Sequence, residues 1–454
     1  MRTNLQARTA RTEALLRRLV RRDASAALRK LLPGVPPADV AAAMERLTAG
    51  EQRRLYGTIQ NQEYAAEVLS HLSDSATREV SKQMSEDALV DLLELMEPDD
   101  ATDVVGALDD DLRVRVLAQL RDDETGEEVR SLLTWPPETA GGIMSTQVFV
   151  MPDDTSCGQA IAALQAQHEE LESIYYVYVV DPRQHLVGVT SLRSLLTHPP
   201  RMRLVDIMTR DPISVAPSQD QEEVARIVAR YDFLAVPVVD AERHILGIVT
   251  VDDVVDVIRD EAAEDMMLMA GVSAPEQDQS ILRQGTSRAG WLLATIGGGI
   301  LAAEIIGLYE ATLASMAVLA GFIPVIMGMG GNVGIQSATL AVRGLATGKI
   351  QLNRVWGFLW QELRVGLILG IVYALLLGGY GLLRYPDQPL LGISLASSIG
   401  LAILSAGAIG AAIPLGFQRL GADPAIATGP FVTTLVDLIG IVIYFNVARA
   451  LLGL

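Results

Sequence analysis

The sequence predicts a multidomain α-helical membrane protein: an all-α superhelical N domain, an α/β pair of repeated modules, a connecting helix and a five-helix transmembrane bundle. Three observations predict it. Charge is segregated, with 27 Lys/Arg against 49 Asp/Glu in residues 1–282 and 9 against 6 in residues 283–454. Residues 311–342 and 388–418 contain no charged side chain. Two internal repeats, one of 12 residues and one of about 60, run through the acidic part. That negative balance has the wrong sign for a nucleic-acid binder. A single cysteine, Cys157, excludes an intramolecular disulfide framework and a Cys-based metal cluster. Five scattered histidines offer no zinc-ligand spacing.

The elements follow in chain order. Residues 1–30 form a basic extension, nine Lys/Arg against Glu13 and Asp23. Its Arg17, Arg18, Arg21 and Arg22 suit either anionic lipid or a solvated, poorly ordered helix. The opening Met-Arg-Thr-Asn-Leu-Gln lacks an apolar stretch, so no cleavable signal peptide is expected. Residues 31–138 read as an acidic α-helical domain. Leu72, Met84, Met96, Leu108 and Leu120 fall every 12 residues. Each precedes a cluster of capping type: Ser73-Asp74, Ser85-Glu86-Asp87, Glu97-Pro98-Asp99-Asp100, Asp109-Asp110-Asp111 and Arg121-Asp122-Asp123. Short helices that end on an apolar residue and restart at a cap stack as a superhelical array. The caps also account for many of the acids, because carboxylates favour helix N-termini.

The longer repeat comes next. Ile143-Met144 recurs as Ile207-Met208, Val180-Asp181 as Val239-Asp240, and Gly188-Val189-Thr190-Ser191 as Gly247-Ile248-Val249-Thr250. Each copy reads strand, helix, strand, turn, strand, helix, with inner strands at 175–180 and 235–239. The first copy carries extra residues around 168–172. The pattern resembles a tandem pair of CBS domains, at 139–202 and 203–258. That resemblance implies a cleft for an adenosine nucleotide such as ATP, held through a Gly-x-x-Thr-x-x-Asp signature, here Gly247, Thr250 and Asp253. The first copy has Ser194 in place of the acid, so one well-formed ribose site at most is implied. A folded, nucleotide-free pair is the other reading.

Residues 259–282 read as an acidic connecting helix that continues a run of acids from Asp252. Asp253, Asp256, Asp260 and Glu264 share one helical face, as do Glu261 and Asp265. Like charges so placed repel, and a hard divalent cation suits all-oxygen ligands.

Five spans are expected in residues 283–454, at 289–311, 314–342, 357–383, 389–418 and 424–449, each longer than the roughly 20 apolar residues a bilayer requires. Arg283, Arg288, Arg343, Lys349, Arg354 and Arg419 favour the side of residues 1–282. The expectation is a multi-pass protein of the cell (inner) membrane, N-terminus cytoplasmic and C-terminus extracytoplasmic. An acid inside a span is a functional candidate by default. Asp437 lies mid-span in Gly429-Pro430-Phe431-Val432-Thr433-Thr434-Leu435-Val436-Asp437, with Thr433 one turn earlier on the same face. Gly429 and Pro430 are expected to loosen that span and free backbone carbonyls. Carboxylate, hydroxyl and carbonyl oxygens suit a hydrated Mg2+, which sheds its waters reluctantly. Asn332 and Gln336 in span two either line a path or bond between helices. Asp423 either caps span five or sits at the inner mouth.

With the order of domains and the motifs Gly-Gly-Asn-Val-Gly-Ile-Gln-Ser and Gly-Pro-Phe-Val-Thr-Thr-Leu-Val-Asp, residues 31–454 resemble the MgtE family of magnesium channels. The resemblance implies a homodimer in a lipid bilayer with no obligate protein partner. It implies a selectivity site for hydrated Mg2+ at Asp437 and an inner vestibule lined by Asp423. It implies regulatory Mg2+ sites at Asp99, Asp103, Glu222, Asp232, Asp253, Asp256, Glu261, Glu264 and Asp265, through which cytosolic Mg2+ closes the pore. Competing expectations are a CBS-regulated secondary transporter of another divalent cation such as Mn2+ or Co2+, and a nucleotide-sensing receptor. No catalytic constellation supports an enzyme: there is no phosphate-cradling lysine loop, nucleophile elbow or His base beside an acid.

Overall fold

The computed structural model describes the backbone of residues 2–120, 124–167, 174–272, 281–350, 355–426 and 428–454. The Arg121-Asp122-Asp123 cluster, the extra residues at 168–172, Glu276 and Asp278 of the acidic run, and Arg354 lie outside the described residues. The chain divides into two compact units, Met1–Arg259 and Asp260–Leu454.

The first unit opens with ten helices among the described residues: α1 (Arg2–Arg21), α2 (Ser25–Leu31), α3 (Pro37–Met44), α4 (Ala49–Tyr56), α5 (Gln62–Ser70), α6 (Asp74–Ser81), α7 (Glu86–Leu93), α8 (Pro98–Ala107), α9 (Asp110–Gln119) and α10 (Glu124–Leu132). The starts of α6 to α9 keep the 12-residue period of the sequence. Ser73 and Ser85 cap α6 and α7 by accepting from the amides of Ala76 and Ala88. Glu97 makes no side-chain cap; Pro98 in the first turn of α8 removes an amide that would otherwise need a partner. Each helix packs on the next but one, α4 on α6, α5 on α7, α6 on α8 and α7 on α9, which winds the array. The basic extension differs from the poorly ordered helix that composition allowed. Leu16 and Val20 of α1 are buried in the array's core, and Arg46 donates to the buried Glu13 carboxylate at 2.8 Å.

The repeated modules comprise β1 (Val150–Pro152), α11 (Cys157–Ala166), β2 (Tyr176–Val180), β3 (Leu186–Ser191), α12 (Leu192–Thr197), α13 (Leu204–Ile207), β4 (Thr209–Arg210), α14 (Gln221–Tyr231), β5 (Ala235–Val239), β6 (Ile245–Thr250) and α15 (Val251–Met269). One sheet runs β1-β2-β3-β4, with β1 parallel to β2 and the rest antiparallel. The other pairs β5 with β6 and gains Val215, parallel beside Val238, and Ser145, antiparallel beside Ile248. The two copies therefore exchange edges. Ser145 precedes the first copy's sheet yet completes the second, and β4 opens the second copy yet completes the first. Glycine permits both joins, because a Cβ on Gly188 would collide with Met208 and one on Gly247 would lie 2.6 Å from the Ser145 carbonyl oxygen.

In the second unit, α15 ends and is followed by α16 (Ile281–Gly307), α17 (Glu310–Ser315), α18 (Ile323–Ala346), α19 (Val355–Arg384), α20 (Pro389–Arg419) and α21 (Pro430–Leu452). Five stretches among the described residues are long and apolar enough to cross a membrane. Two differ from expectation. The second is a helix only from Ile323, after a 3₁₀ stretch over Ala317–Phe322. The fifth begins at Pro430 rather than at 424. Pro430 starts that helix instead of loosening it, since proline suits the first turn and disfavours helical backbone in the residue before it, Gly429 at ψ −111°.

Backbone-to-backbone contact holds the bundle together. A Cβ on Gly410 of α20 would overlap the Gly334 carbonyl of α18, and one on Gly334 would lie 3.0 Å from Val436 Cγ2 of α21. Gly410→Val should therefore lower thermal stability by about 1–3 kcal/mol or more, the usual cost of overpacking. A melting curve of the detergent-solubilised protein checks this; an unshifted midpoint would mean the helices part without cost.

Candidate functional site

Two constellations and one cavity emerge. The first lies in the helix bundle. Asp437 and Thr433 are half-buried on α21 and face the glycine motif of α18: a Cβ on Gly331 would sit 3.6 Å from Asp437 Oδ1 and 4.0 Å from Thr433 Cγ2. Gly331 thus leaves space in front of the carboxylate. Asp437 Oδ1 is buried and has no hydrogen-bond partner among the described residues. Thr433 donates to the carbonyls of Gly429 (3.3 Å) and Pro430 (3.2 Å), which keeps its lone pairs free. Asn332 and Gln336 stand on the other side of α18, exposed in the single chain. Asp423 is exposed ahead of α21 and accepts from the Ala425 amide at 2.7 Å, a cap-like turn contact.

The connecting helix ends against this span. Gly429 has no Cβ, and one there would lie 3.0 Å from the Met269 carbonyl oxygen at the end of α15. Gly271, at φ +71°, turns the chain beside Pro430. The start of the span that bears Thr433 and Asp437 is thus in van der Waals contact with the end of the acidic helix.

The second constellation lies in the first unit. Asp99 and Asp103, one turn apart on α8, lie close enough to Asp253 at the start of α15 for their charges to raise its pKa. Loss of hydration in the cleft, then the Asp100 charge, pushes Asp99 up to about 6. Loss of hydration, then Asp100, Asp99 and Asp74, pushes Asp103 up to about 7, a desolvation that its exposed side chain keeps incomplete. Asp253 rises to about 7 through lost hydration and repulsion from Asp99, Asp252 and Asp103, against the Thr250 hydroxyl, which donates to it at 2.6 Å. Three mutually repelling carboxylates from two domains are a site short of positive charge.

The remaining expected regulatory acids are spread more widely. Glu222 is ion-paired with Arg226 (2.6 Å) at the start of α14, and Asp232 ends that helix in the left-handed region at φ 54°. Asp256 is exposed and paired with Arg259 (3.0 Å). Glu264 is exposed, while Glu261 and Asp265 are half-buried farther along α15.

The pH consequence has a definite sign. A carboxyl whose folded value exceeds its unfolded one binds protons more tightly when folded, so its contribution to stability fades as pH rises from about 4 through about 7. Asp253→Asn should come closest to the parent in melting temperature near pH 4 and exceed it increasingly toward pH 8 in divalent-free buffer. Added Mg2+ should raise the parent more at pH 8 than at pH 5. A pH-independent gap would show that the three charges do not interact.

A cavity of about 340 Å³ lies between the two repeated modules, lined by Tyr176, Ser191 and Ser194 of the first and Asp211 and Phe233 of the second, among others. The expected nucleotide motif is elsewhere and closes on itself: Thr250 bonds Asp253, and Gly247 presses on Ser145 and Met144.

Two features escaped the sequence reading. Glu362, inside α19, is 4% exposed and accepts from the Ser337 hydroxyl of α18 at 2.7 Å; an acid within an apolar run was the available signal. Asp240, Glu242 and His244 bring ligand atoms within 4.8 Å of one another on a turn, through alternate-residue spacing that a zinc-motif search passes over.

Comparisons with known proteins agree with this layout. The family model "MgtE intracellular N domain" matches residues 35–138, "CBS domain" matches 140–200 and 204–260, and "Divalent cation transporter" matches 323–447. The chain is 38% identical over 431 residues to the magnesium transporter MgtE of Thermus thermophilus, covering 94% of this chain and 95% of that one. It is 40% identical over 328 residues to the magnesium transporter MgtE of Enterococcus faecalis, covering 72% of each. Among solved structures, the cytosolic domain of the Mg2+ channel MgtE in complex with ATP matches with a TM-score of 0.50 and 35% identity, over 54% of this chain and 99% of that one.

Proposed function

The chain belongs to the MgtE family of magnesium transporters, and from that premise we propose that it is a Mg2+-selective channel closed by cytosolic Mg2+. The observation that carries the reading is the unpartnered Asp437 carboxylate oxygen beside Thr433 and Gly331. A buried, unbonded acid in a membrane span is costly unless a cation or its water shell faces it. A hydrated Mg2+ supplies both charge and donors, so the carboxylate meets the ion through water and the Thr433 oxygen takes a second place in that shell. Asp423, exposed ahead of the span, is the proposed collector at the inner mouth.

The regulatory half follows from charge. Residues 31–282 hold 18 basic and 47 acidic residues. Without divalent ions the acidic modules repel; Mg2+ between Asp99, Asp103 and Asp253 offsets that repulsion and favours the compact, closed form only by its differential affinity for it. Asp256 and the acids farther along α15, with Glu222 and Asp232, are proposed as further weak sites. The exposed amides of Asn332 and Gln336 support a homodimer, because such groups do not face lipid without cost. Loop charge supports an inner-membrane orientation with the acidic half cytoplasmic. ATP is the proposed ligand of the 340 Å³ cavity at Tyr176 and Phe233.

The test is Mg2+ flux into proteoliposomes with cytoplasmic-side Mg2+ raised from micromolar to millimolar, run alongside Mn2+ and Co2+. Flux should fall as that Mg2+ rises. Flux tied to a proton or Na+ gradient would favour a coupled transporter, and no flux of any of these ions would overturn the reading.

A further inference from the structure

The turn after α18 builds a basic pocket that the transport site does not use. Gly348 ends the helix in the left-handed region at φ +66°, with the Thr347 and Gly348 amides on the carbonyls of Arg343 (3.0 Å) and Leu345 (2.9 Å). The chain then folds back until the Ile350 amide reaches the Gly344 carbonyl at 2.9 Å, and only a glycine at 344 admits the Ile350 side chain. This return sets Lys349 near Arg343. The two bases, with Gln361 and Glu362 of α19, line a cavity of about 620 Å³. Arg343 and Lys349 are exposed, and neither forms an ion pair among the described residues. Glu362 closes the pocket as a nearly sealed acid held by Ser337. Leu340, 51% exposed, lines the cavity with Ile350 and Phe358, and on the other face of α19 Trp356 is 79% and Trp360 60% exposed. Tryptophans at the end of a span mark the membrane–water interface.

We propose that this pocket binds the headgroup of an amine-bearing phospholipid, phosphatidylethanolamine by chemistry. Arg343 and Lys349 hold its phosphodiester, and Glu362 takes its ammonium. The charge order argues for this occupant. Unpaired bases between spans at the interface attract a lipid phosphate. A buried carboxylate beneath them disfavours a purely anionic guest and favours one that ends in an amine. Leu340, Ile350 and Phe358 of the lining suit acyl chains, which a free phosphate lacks.

The experiment is native mass spectrometry of the purified, delipidated full-length protein titrated with phosphatidylethanolamine or phosphatidylglycerol. The parent should retain phosphatidylethanolamine about tenfold better, a difference of about 1.4 kcal/mol. The double variant Arg343→Gln, Lys349→Gln should lose that bound lipid. Glu362→Gln should keep a bound lipid and lose the preference for the amine headgroup. Should Glu362→Gln fail to fold, Gln361→Leu beside it is the substitute and should narrow the preference without abolishing binding. Equal retention of the two lipids by the parent, or retention unchanged in the double variant, overturns the proposal. Displacement of the lipid by millimolar free phosphoethanolamine or inorganic phosphate also overturns it, in favour of a soluble phosphate ligand.

Discussion

Asp437→Ala should reduce Mg2+ flux by about two orders of magnitude or more while leaving the bundle folded. In a protein-lined site of effective dielectric about 20, unit charges about 4 Å apart interact by about 4 kcal/mol, and Mg2+ carries two. Even after partial screening by its water shell, losing a few kcal/mol of attraction means a loss of about two decades in occupancy. Folding should survive. Gly330 and Gly334 of α18 pack on Val432 and Val436, only Gly331 of that motif faces the carboxylate, and alanine is a good helix residue. Removing a buried acid whose Oδ1 has no partner relieves a desolvation cost besides. Asp437→Asn keeps the shape and loses the charge, so it should fall nearly as far. The check is initial flux in proteoliposomes beside a melting curve. Parent-like flux from a well-folded Asp437→Ala protein would sink the pore assignment.

The triple change Asp253→Asn, Asp256→Asn, Glu264→Gln should have the opposite effect, leaving conduction intact and removing closure. Asp253 feels the charges of Asp99 and Asp103, and Asp256 and Glu264 lie farther along α15. That same helix ends at Met269, against Gly429 and Pro430. Neutralising the acids removes both the repulsion that opens the acidic modules and the attraction that lets Mg2+ draw them together. The Mg2+ concentration that halves flux should rise by about tenfold or more, which corresponds to losing about 1.4 kcal/mol of differential affinity. Maximal flux should stay within about twofold, since these side chains are not on α21. Titrating flux against cytoplasmic-side Mg2+ measures both numbers. Closure at the parent's Mg2+ concentration would move the sensor elsewhere.

Much of this architecture was legible in the sequence, for local reasons. The 12-residue spacing located α6 to α9 because an apolar end and a cap are signals carried within a few residues. The charge-free runs located the spans because the bilayer tolerates little else. What stayed hidden depends on distant partners. Nothing near Ser145 announces its pairing with Ile248. Glu362 was passed over because its partner Ser337 sits on a different helix. The convergence of Asp99, Asp103 and Asp253 entered only through family resemblance, since α8 and α15 are brought together by folding. The reading of Gly429-Pro430 as loosening the fifth span failed because the residues from Asp423 to Ile426 form a turn held by the Ala425 amide and not helix.

The exchanged edges of the CBS pair constrain how the protein is made. Ser145 emerges from the ribosome about a hundred residues before Ile248, the strand it completes. Until β4 emerges the first copy's sheet lacks an edge, and Ser145 waits longer still for the strand it joins in the second copy. The pair must therefore mature as one cooperative body once residue 250 has been synthesised, and a chain truncated between the copies should expose open strand edges and aggregate. Duplication of this module was useful only as a pair, and neither half is a spare part.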